Sequence, residues 1–387
     1  MTDFDKITDR RGSGSYKWDT DDSGDMLQMW VADMDFRTAP AIIDALRRRV
    51  DHGVFGYTSV GREYYDAVTG WFLRRHGWQI DPDWIIYTIG VVPAISAIIK
   101  ALTRPGDKVI TQTPAYNCFF SSIRNNGCQL LANDLIYSDG RYSINFDDLE
   151  RKASDPLAKI LLLCNPHNPS GRVWTPDELR RVGEICRRNG VSVVADEIHC
   201  ELVYPPYQYT PYGSLGKEFS AHSISCISAS KAFNIAGLQI ANIVTEDPEL
   251  RRKIDRAIND NEVCDVNPFG PVATVAAYNH SGEWLDSLVE YLGGNYRLIC
   301  DEFARSLPEL HIVPLEATYL AWIDIRPTGL SAEEVAERIR REAHVHINPG
   351  TMYGPAGEGF IRLNFATQRQ RLVQALSAII PTLRSMI

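Results

Sequence analysis

Four short segments of this 387-residue sequence carry groups that could do chemistry together: Ile89-Gly-Val-Val-Pro93, Asn165-Pro-His-Asn-Pro-Ser-Gly171, Asp196-Glu-Ile-His199 and Ser228-Ala-Ser-Lys-Ala-Phe-Asn234. Between them they offer a lysine amine able to form an imine and a carboxylate able to pair with a protonated ring nitrogen. They also offer amide and imidazole donors for an oxyanion, and backbone N–H groups for a phosphate. Pyridoxal phosphate asks this set of partners from a protein. Each segment follows a run of β-forming residues, and in an open α/β sheet ligands bind beyond the carboxyl ends of the strands.

The elements that must position these segments are legible as periodicity. From residue 84 to about 245 short β-rich runs alternate with helical periods, the pattern of a mostly parallel sheet covered by helices. Strands are predicted over 84–88, 108–112, 129–135, 159–164, 191–195, 223–228 and 240–245, which makes a seven-stranded α/β unit. One helix between them is sharply marked, with Thr175 as N-cap, Pro176 in the first turn, Glu178 closing a capping box and Gly190 just past the end. Beyond Asp247 the texture turns to long helical patterns over 248–263 and 282–307, followed by a strand over 318–325. A helix opened by a Ser331/Glu334 capping box and a strand over 359–365 complete the chain. The expected organisation is a large cofactor-binding α/β domain at residues 47–275 and a smaller α+β domain assembled from 1–46 and 276–387. The first forty residues are polar, irregular and too short to fold alone.

Composition narrows the function classes. With 40 Lys and Arg against 49 Asp and Glu the chain carries −9 at neutral pH, which leaves no basic stripe for a nucleic-acid backbone or an anionic membrane surface. Its longest apolar stretch, 89–99, contains Pro93 and Ser96 and stops at Lys100, far short of the roughly 20 residues that span a bilayer. The opening MTDFDKITDRRGSG has no apolar core of the kind a secretory signal needs, so a cytoplasmic protein is expected. The 8 cysteines form no C-x-x-C pair, which predicts free, mostly buried thiols.

Other motifs fall away. Gly216-Lys217 lacks the upstream glycine of a phosphate loop, because position 211 is Pro, and Gly354-Pro-Ala-Gly-Glu-Gly359 has the wrong spacing for a dinucleotide fingerprint. His344 and His346 would point the same way on a strand, but no carboxylate or cysteine stands at ligand spacing, so no metal is expected.

In order and spacing the four segments resemble those of the fold-type I pyridoxal-phosphate enzymes, the aspartate-aminotransferase superfamily. Within it the sequence is similar to the cystathionine β-lyase (carbon–sulfur lyase) branch of MalY and PatB type. NPHNPSG and SASKAFN carry the superfamily resemblance, while DEIH, AGLQ and WVADMDF carry that to the branch, and the similarity runs from Trp30 to Ala366.

The resemblance implies a role for each residue. Lys231 would hold the cofactor as an imine and, once displaced by substrate, take the α-proton as a neutral amine. Asp196 would pair with the pyridine nitrogen, and Asn168 and His199 would donate to the phenolic oxygen. Family transaminases usually carry Tyr where His199 stands. Gly90, Val91 and Val92, ahead of a helix expected to begin near Pro93, would present backbone N–H groups to the phosphate. Ser228 and Ser230 would assist, since many relatives place an arginine where this chain has Gln239. Tyr116 would stack on the cofactor ring, and Tyr57 would reach the phosphate from the neighbouring subunit of a homodimer. Arg362 would grip the substrate α-carboxylate bidentately.

The reaction so implied is pyridoxal 5'-phosphate-dependent β-elimination from L-cystathionine or a related cysteine S-conjugate, giving a thiol such as homocysteine, pyruvate and ammonia. An aminotransferase begins with the same deprotonation and is the alternative; His199, Gln239 and the branch resemblance separate the two. A fold kept for binding without turnover is disfavoured by the intact Lys231, Asp196, Asn168 and Arg362. The expected partners are a small amino-acid substrate and a second copy of the chain, with no nucleic acid and no membrane.

Overall fold

The computed structural model describes residues 2–20 and 24–387. All seven strands anticipated between 84 and 245 are present and form one sheet, in the order Ile85–Thr88, Ala241–Val244, Ser223–Ile227, Ser192–Asp196, Ala158–Cys164, Lys108–Thr113, Gln129–Asp134. Neighbours run parallel except Ala241–Val244, which is antiparallel to both strands beside it. Ala158–Cys164 reads AKILLLC and is buried along almost its whole length, as a parallel strand covered on both faces must be. Register prepares the site: Cys164 lies opposite Asp196, and Asp196 opposite Cys226, so three chain segments leave the sheet side by side.

A second, antiparallel sheet has the order His311–Ile312, Leu320–Asp324, Phe360–Asn364, Asn348–Pro349. Arg362 sits in its interior, opposite Trp322 on one side and Asn348 on the other. Near the chain start Leu27–Gln28 pairs in parallel with Val345–His346, and Trp18, Met29, Met34 and Phe36 are buried, so this polar-looking segment is stitched to the body by a few apolar anchors.

The caps form as their chemistry requires. Thr175 accepts from the Glu178 amide while the Glu178 carboxylate returns to the Thr175 amide, and Ser331 and Glu334 do the same. Gly190 follows the first of these helices at φ +70°, a left-handed conformation that costs glycine nothing.

Among the helices not announced by the sequence are Pro40–Asp51, Arg62–His76 and Phe269–His280. The last reads FGPVATVAAYNH and buries Ala273, Thr274, Ala277 and Tyr278; small and apolar almost all round, it has no polar face to betray a helical period. The expected domain borders at 46/47 and 275/276 fall inside the first and third of these helices, where the backbone has no break. The helix after Ile85–Thr88 begins at Val91 rather than near Pro93, which sits in the first turn where its missing N–H has no intrahelical partner to lose. His344 caps the helix Ala332–Ala343 while His346 belongs to a strand and stacks on Trp30 at 4.7 Å, so the two do not share one strand. The 8 cysteines are free thiols, five of them buried. Among the described residues no helix is long and apolar enough to cross a membrane.

Candidate active site

A cavity of about 190 Å³ opens where the four segments leave the large sheet, and its wall includes Gly90, Val91, Val92, Tyr116, Asn168, Asp196, His199, Ser230, Lys231 and Gln239. Lys231 follows the strand Ser223–Ile227, and its Nζ donates to the Ala32 carbonyl at 2.6 Å. Burial drives this amine below its ordinary basicity; Asp33 and Asp196 oppose the shift, and Arg362 adds to it.

Asp196 closes the strand Ser192–Asp196 and is buried, and among the described residues only the Ile198 amide donates to its Oδ1, at 3.2 Å. Burial pushes its carboxyl up to about 6 against the pull of that amide and of Lys231, so the site holds an anion short of a cationic partner. His199, three residues on, is buried with Nδ1 unpartnered. Burial first, then Lys231 and Arg362, lower its imidazole to about 3 and keep the ring neutral. Asn168 accepts at Oδ1 from Arg362 Nη1 at 3.1 Å, its amide N–H meets Cys164 Sγ at 3.4 Å, and its Nδ2 makes no hydrogen bond among the described residues.

The backbone amides at Val91 and Val92 belong to the first turn of the helix Val91–Leu102, where N–H groups have no intrahelical acceptor and the helix end is positive. Tyr116 borders the cavity at the start of Asn117–Asn125, and burial holds its hydroxyl protonated far above neutral pH. Arg362 is buried; its Nη2 donates to the Trp30 carbonyl at 2.8 Å, its guanidinium lies 4.7 Å over the Tyr353 ring, and Nε has no partner. It reaches the cavity through Asn168 rather than forming part of the wall.

Besides Arg362, two anticipated residues are not brought to this wall. Ser228 is buried behind it, with Oγ donating to the Ile240 carbonyl at 2.7 Å and accepting from the Ser230 amide at 3.1 Å, so its hydroxyl shapes the lysine loop instead of facing the cavity. Tyr57 is 100% exposed and stands apart from the cavity of its own chain.

The structure also brings in residues to which the sequence reading gave no role. Ala32 of WVADMDF supplies the carbonyl for Lys231, and Tyr319 Oη donates to the same oxygen at 2.9 Å. Asn234 clamps this N-terminal strand of chain to the lysine loop: its Oδ1 accepts from Met34 N and its Nδ2 donates to the Met34 and Phe36 carbonyls. Buried Asp35 anchors it further through Lys17 at 3.2 Å, Trp18 Nε1 at 2.9 Å and Arg10 at 3.0 Å. A backbone carbonyl leaves no trace in residue type, and a tyrosine before an apolar strand reads as core.

Comparisons with known proteins give a family match over most of the chain. Residues 24–379 match the family described as aminotransferase class I and II. The chain is 43% identical over 380 residues to cystathionine beta-lyase PatB of Bacillus subtilis, covering 97% of this chain and 98% of that protein. It is 34% identical over 391 residues to protein MalY of Escherichia coli, covering all of both. Among solved structures, cystalysin from Treponema denticola, which contains a pyridoxal 5'-phosphate cofactor, superposes with a TM-score of 0.96 at 33% identity over 100% of each chain. The PLP-bound C–S lyase from Staphylococcus hominis gives 0.92 at 32% identity over 99% of each.

Proposed function

The chain belongs to the aminotransferase class I and II family, and from that premise we propose that it is a pyridoxal 5'-phosphate-dependent carbon–sulfur lyase that eliminates the thiol from L-cystathionine or a related cysteine S-conjugate. One observation carries the reading: a single cavity gathers a buried amine, Lys231, whose basicity burial lowers, and a buried carboxylate, Asp196, that has no ion-pair partner among the described residues. The donor set fits the cofactor. A protonated pyridine nitrogen would pair with Asp196, the Asn168 side-chain amide and the neutral His199 could donate to an oxyanion, and the amides of Val91 and Val92 with Ser230 suit a phosphate. Bound there, pyridoxal phosphate supplies the electron sink that makes the α-hydrogen of an amino acid acidic.

The protein's own groups then have defined tasks. Lys231, as a neutral amine, takes the α-proton, and the Ala32 carbonyl is the acceptor that positions its Nζ whenever the amine is free. Arg362 offers its guanidinium to the substrate α-carboxylate, with Nε still free to donate. Tyr116 supplies an apolar face against which a flat ring can stack. Over the cycle the C–S bond breaks, the sulfur leaves with a proton as a thiol, and one water hydrolyses the remaining three-carbon unit to pyruvate and ammonia.

A homodimer completes the reading. Val54, Phe55 and Tyr57 are exposed together at 64%, 53% and 100%, a cluster that a second copy would cover while bringing Tyr57 to the phosphate end of its neighbour's cavity. A cytoplasmic setting suits eight cysteines kept as thiols. The division into a large domain over 47–275 and a smaller one from 1–46 and 276–387 goes with the two sheets.

The test is product analysis with L-cystathionine. Pyruvate should appear with no keto acid added; keto-acid-dependent amino transfer with negligible pyruvate would replace this reading with an aminotransferase.

A further inference from the structure

Tyr319 shares the acceptor of Lys231. Its hydroxyl donates to the Ala32 carbonyl at 2.9 Å while Lys231 Nζ donates to the same oxygen at 2.6 Å. None of the roles above uses Tyr319, although it is wholly buried and lies edge-on to His199, ring centroids 6.2 Å apart.

The backbone that presents it is strained. Thr318 stands at φ +75°, a conformation that β-branched residues rarely adopt and that persists only where the surroundings over-determine it. Here they do. Thr318 N donates to the Leu202 carbonyl at 2.7 Å, Tyr204 Oη donates to the Thr318 carbonyl at 2.7 Å, and Leu320 N donates to Thr318 Oγ1 at 3.2 Å. The turn that carries His199 and the strand that follows Tyr319 therefore brace each other, and the strained residue aims the phenol at the lysine's acceptor. Strain of this kind clusters where a side chain must be held for function.

We infer that Tyr319 is a positioning residue that sets the basicity and freedom of Lys231 through the Ala32 carbonyl. A carbonyl oxygen has two lone pairs, and a cationic ammonium gains more from such an acceptor than a neutral amine does. With one lone pair engaged by the phenol, the oxygen serves the ammonium less well, which favours the neutral amine. When the amine turns away to its task, the half-buried carbonyl still has a donor, so departure leaves no unpaired backbone group. Asp33, Asp196 and Cys118 face the amine and favour its charge, Arg362 opposes it, and His199 is neutral. Tyr319 adds no charge of its own, because burial keeps its hydroxyl protonated.

The inference rests on the proposed role of Lys231, but its test needs no turnover. The full chain, stripped of any bound cofactor, is treated with acetic anhydride across a pH series, and acetylation of Lys231 is quantified by peptide mass spectrometry. Tyr319→Phe should move the labelling midpoint of Lys231 upward by about half a pH unit or more. Replacing Tyr319 with 3-fluorotyrosine, a stronger donor of nearly the same shape, should move it downward. Midpoints that stay put, or that move the same way in both, overturn the inference even if turnover falls, and the fluorotyrosine arm decides alone if Tyr319→Phe does not fold. Failure of the lyase reading shows differently, as absence of pyruvate from the unaltered enzyme while the opposed midpoint shifts remain.

Discussion

Arg362 Nη1 donates to Asn168 Oδ1 at 3.1 Å, joining the interior of the smaller sheet to the loop that follows a central strand of the larger one. The contact decides which way the Asn168 amide faces. With its oxygen committed to a cation, Nδ2 is the end left for the cavity, so a residue reserved for substrate also orients one reserved for cofactor.

Arg362→Ala should therefore damage two functions at once. Loss of a charged, bidentate partner costs about 2 to 5 kcal/mol, so kcat/KM for L-cystathionine should fall between roughly 30-fold and several thousand-fold. Arg362→Lys should recover little of this, because an ammonium cannot span Asn168, the Trp30 carbonyl and a carboxylate as the guanidinium fork can. Steady-state kinetics on both variants checks the expectation; near-normal kcat/KM in the lysine variant would contradict it.

Lys231→Ala should lower pyruvate formation by about a thousandfold or more while the protein stays folded. The purified variant should also lack the yellow colour of the unaltered protein. Absorbance and circular dichroism on the same sample separate loss of the amine from loss of the fold.

Asp196 makes stability depend on pH with a predictable sign. Its folded-state value of about 6 lies above the ordinary 3.8, so between those values the folded chain binds the proton more than the unfolded chain does. Its contribution to stability accordingly falls as pH rises through that window. Asp196→Asn, measured on cofactor-free protein by urea denaturation, should be more stable than the unaltered chain at pH 8 by on the order of 2 kcal/mol. The gain should fade as pH falls below the ordinary 3.8, toward about 3, where the carboxyl is protonated in both the folded and the unfolded chain. In cofactor-loaded protein the order should reverse, since the asparagine cannot pair with a charged pyridine nitrogen.

Tyr57 offers a direct test of the shared site. Mixed under conditions that exchange subunits, inactive Tyr57→Ala and Lys231→Ala chains should regenerate one complete site per hybrid dimer, restoring up to about a quarter of the normal rate. No recovery despite confirmed exchange would place Tyr57 outside the mechanism.

What the sequence determined by itself is local. The seven strands of the large sheet, the two capping boxes and the placement of Asn168, Asp196, His199 and Lys231 just beyond strand ends could all be read from it, because periodicity, caps and turn residues act over a few neighbouring positions. The all-apolar helix Phe269–His280 escaped for the same reason, having no contrast between faces to read. Contacts across long stretches of chain were left to the tertiary structure. Lys231 meets Ala32 from 199 residues away and Tyr319 meets it from 287, through a carbonyl that every residue type carries. Ser228 faces the backbone and Ser230 the cavity, although both are serines two positions apart in one motif. Residue type states which hydrogen bonds a group can make; only the packed chain decides which partner comes within reach, because an enclosed donor or acceptor takes whatever the surrounding elements bring to it.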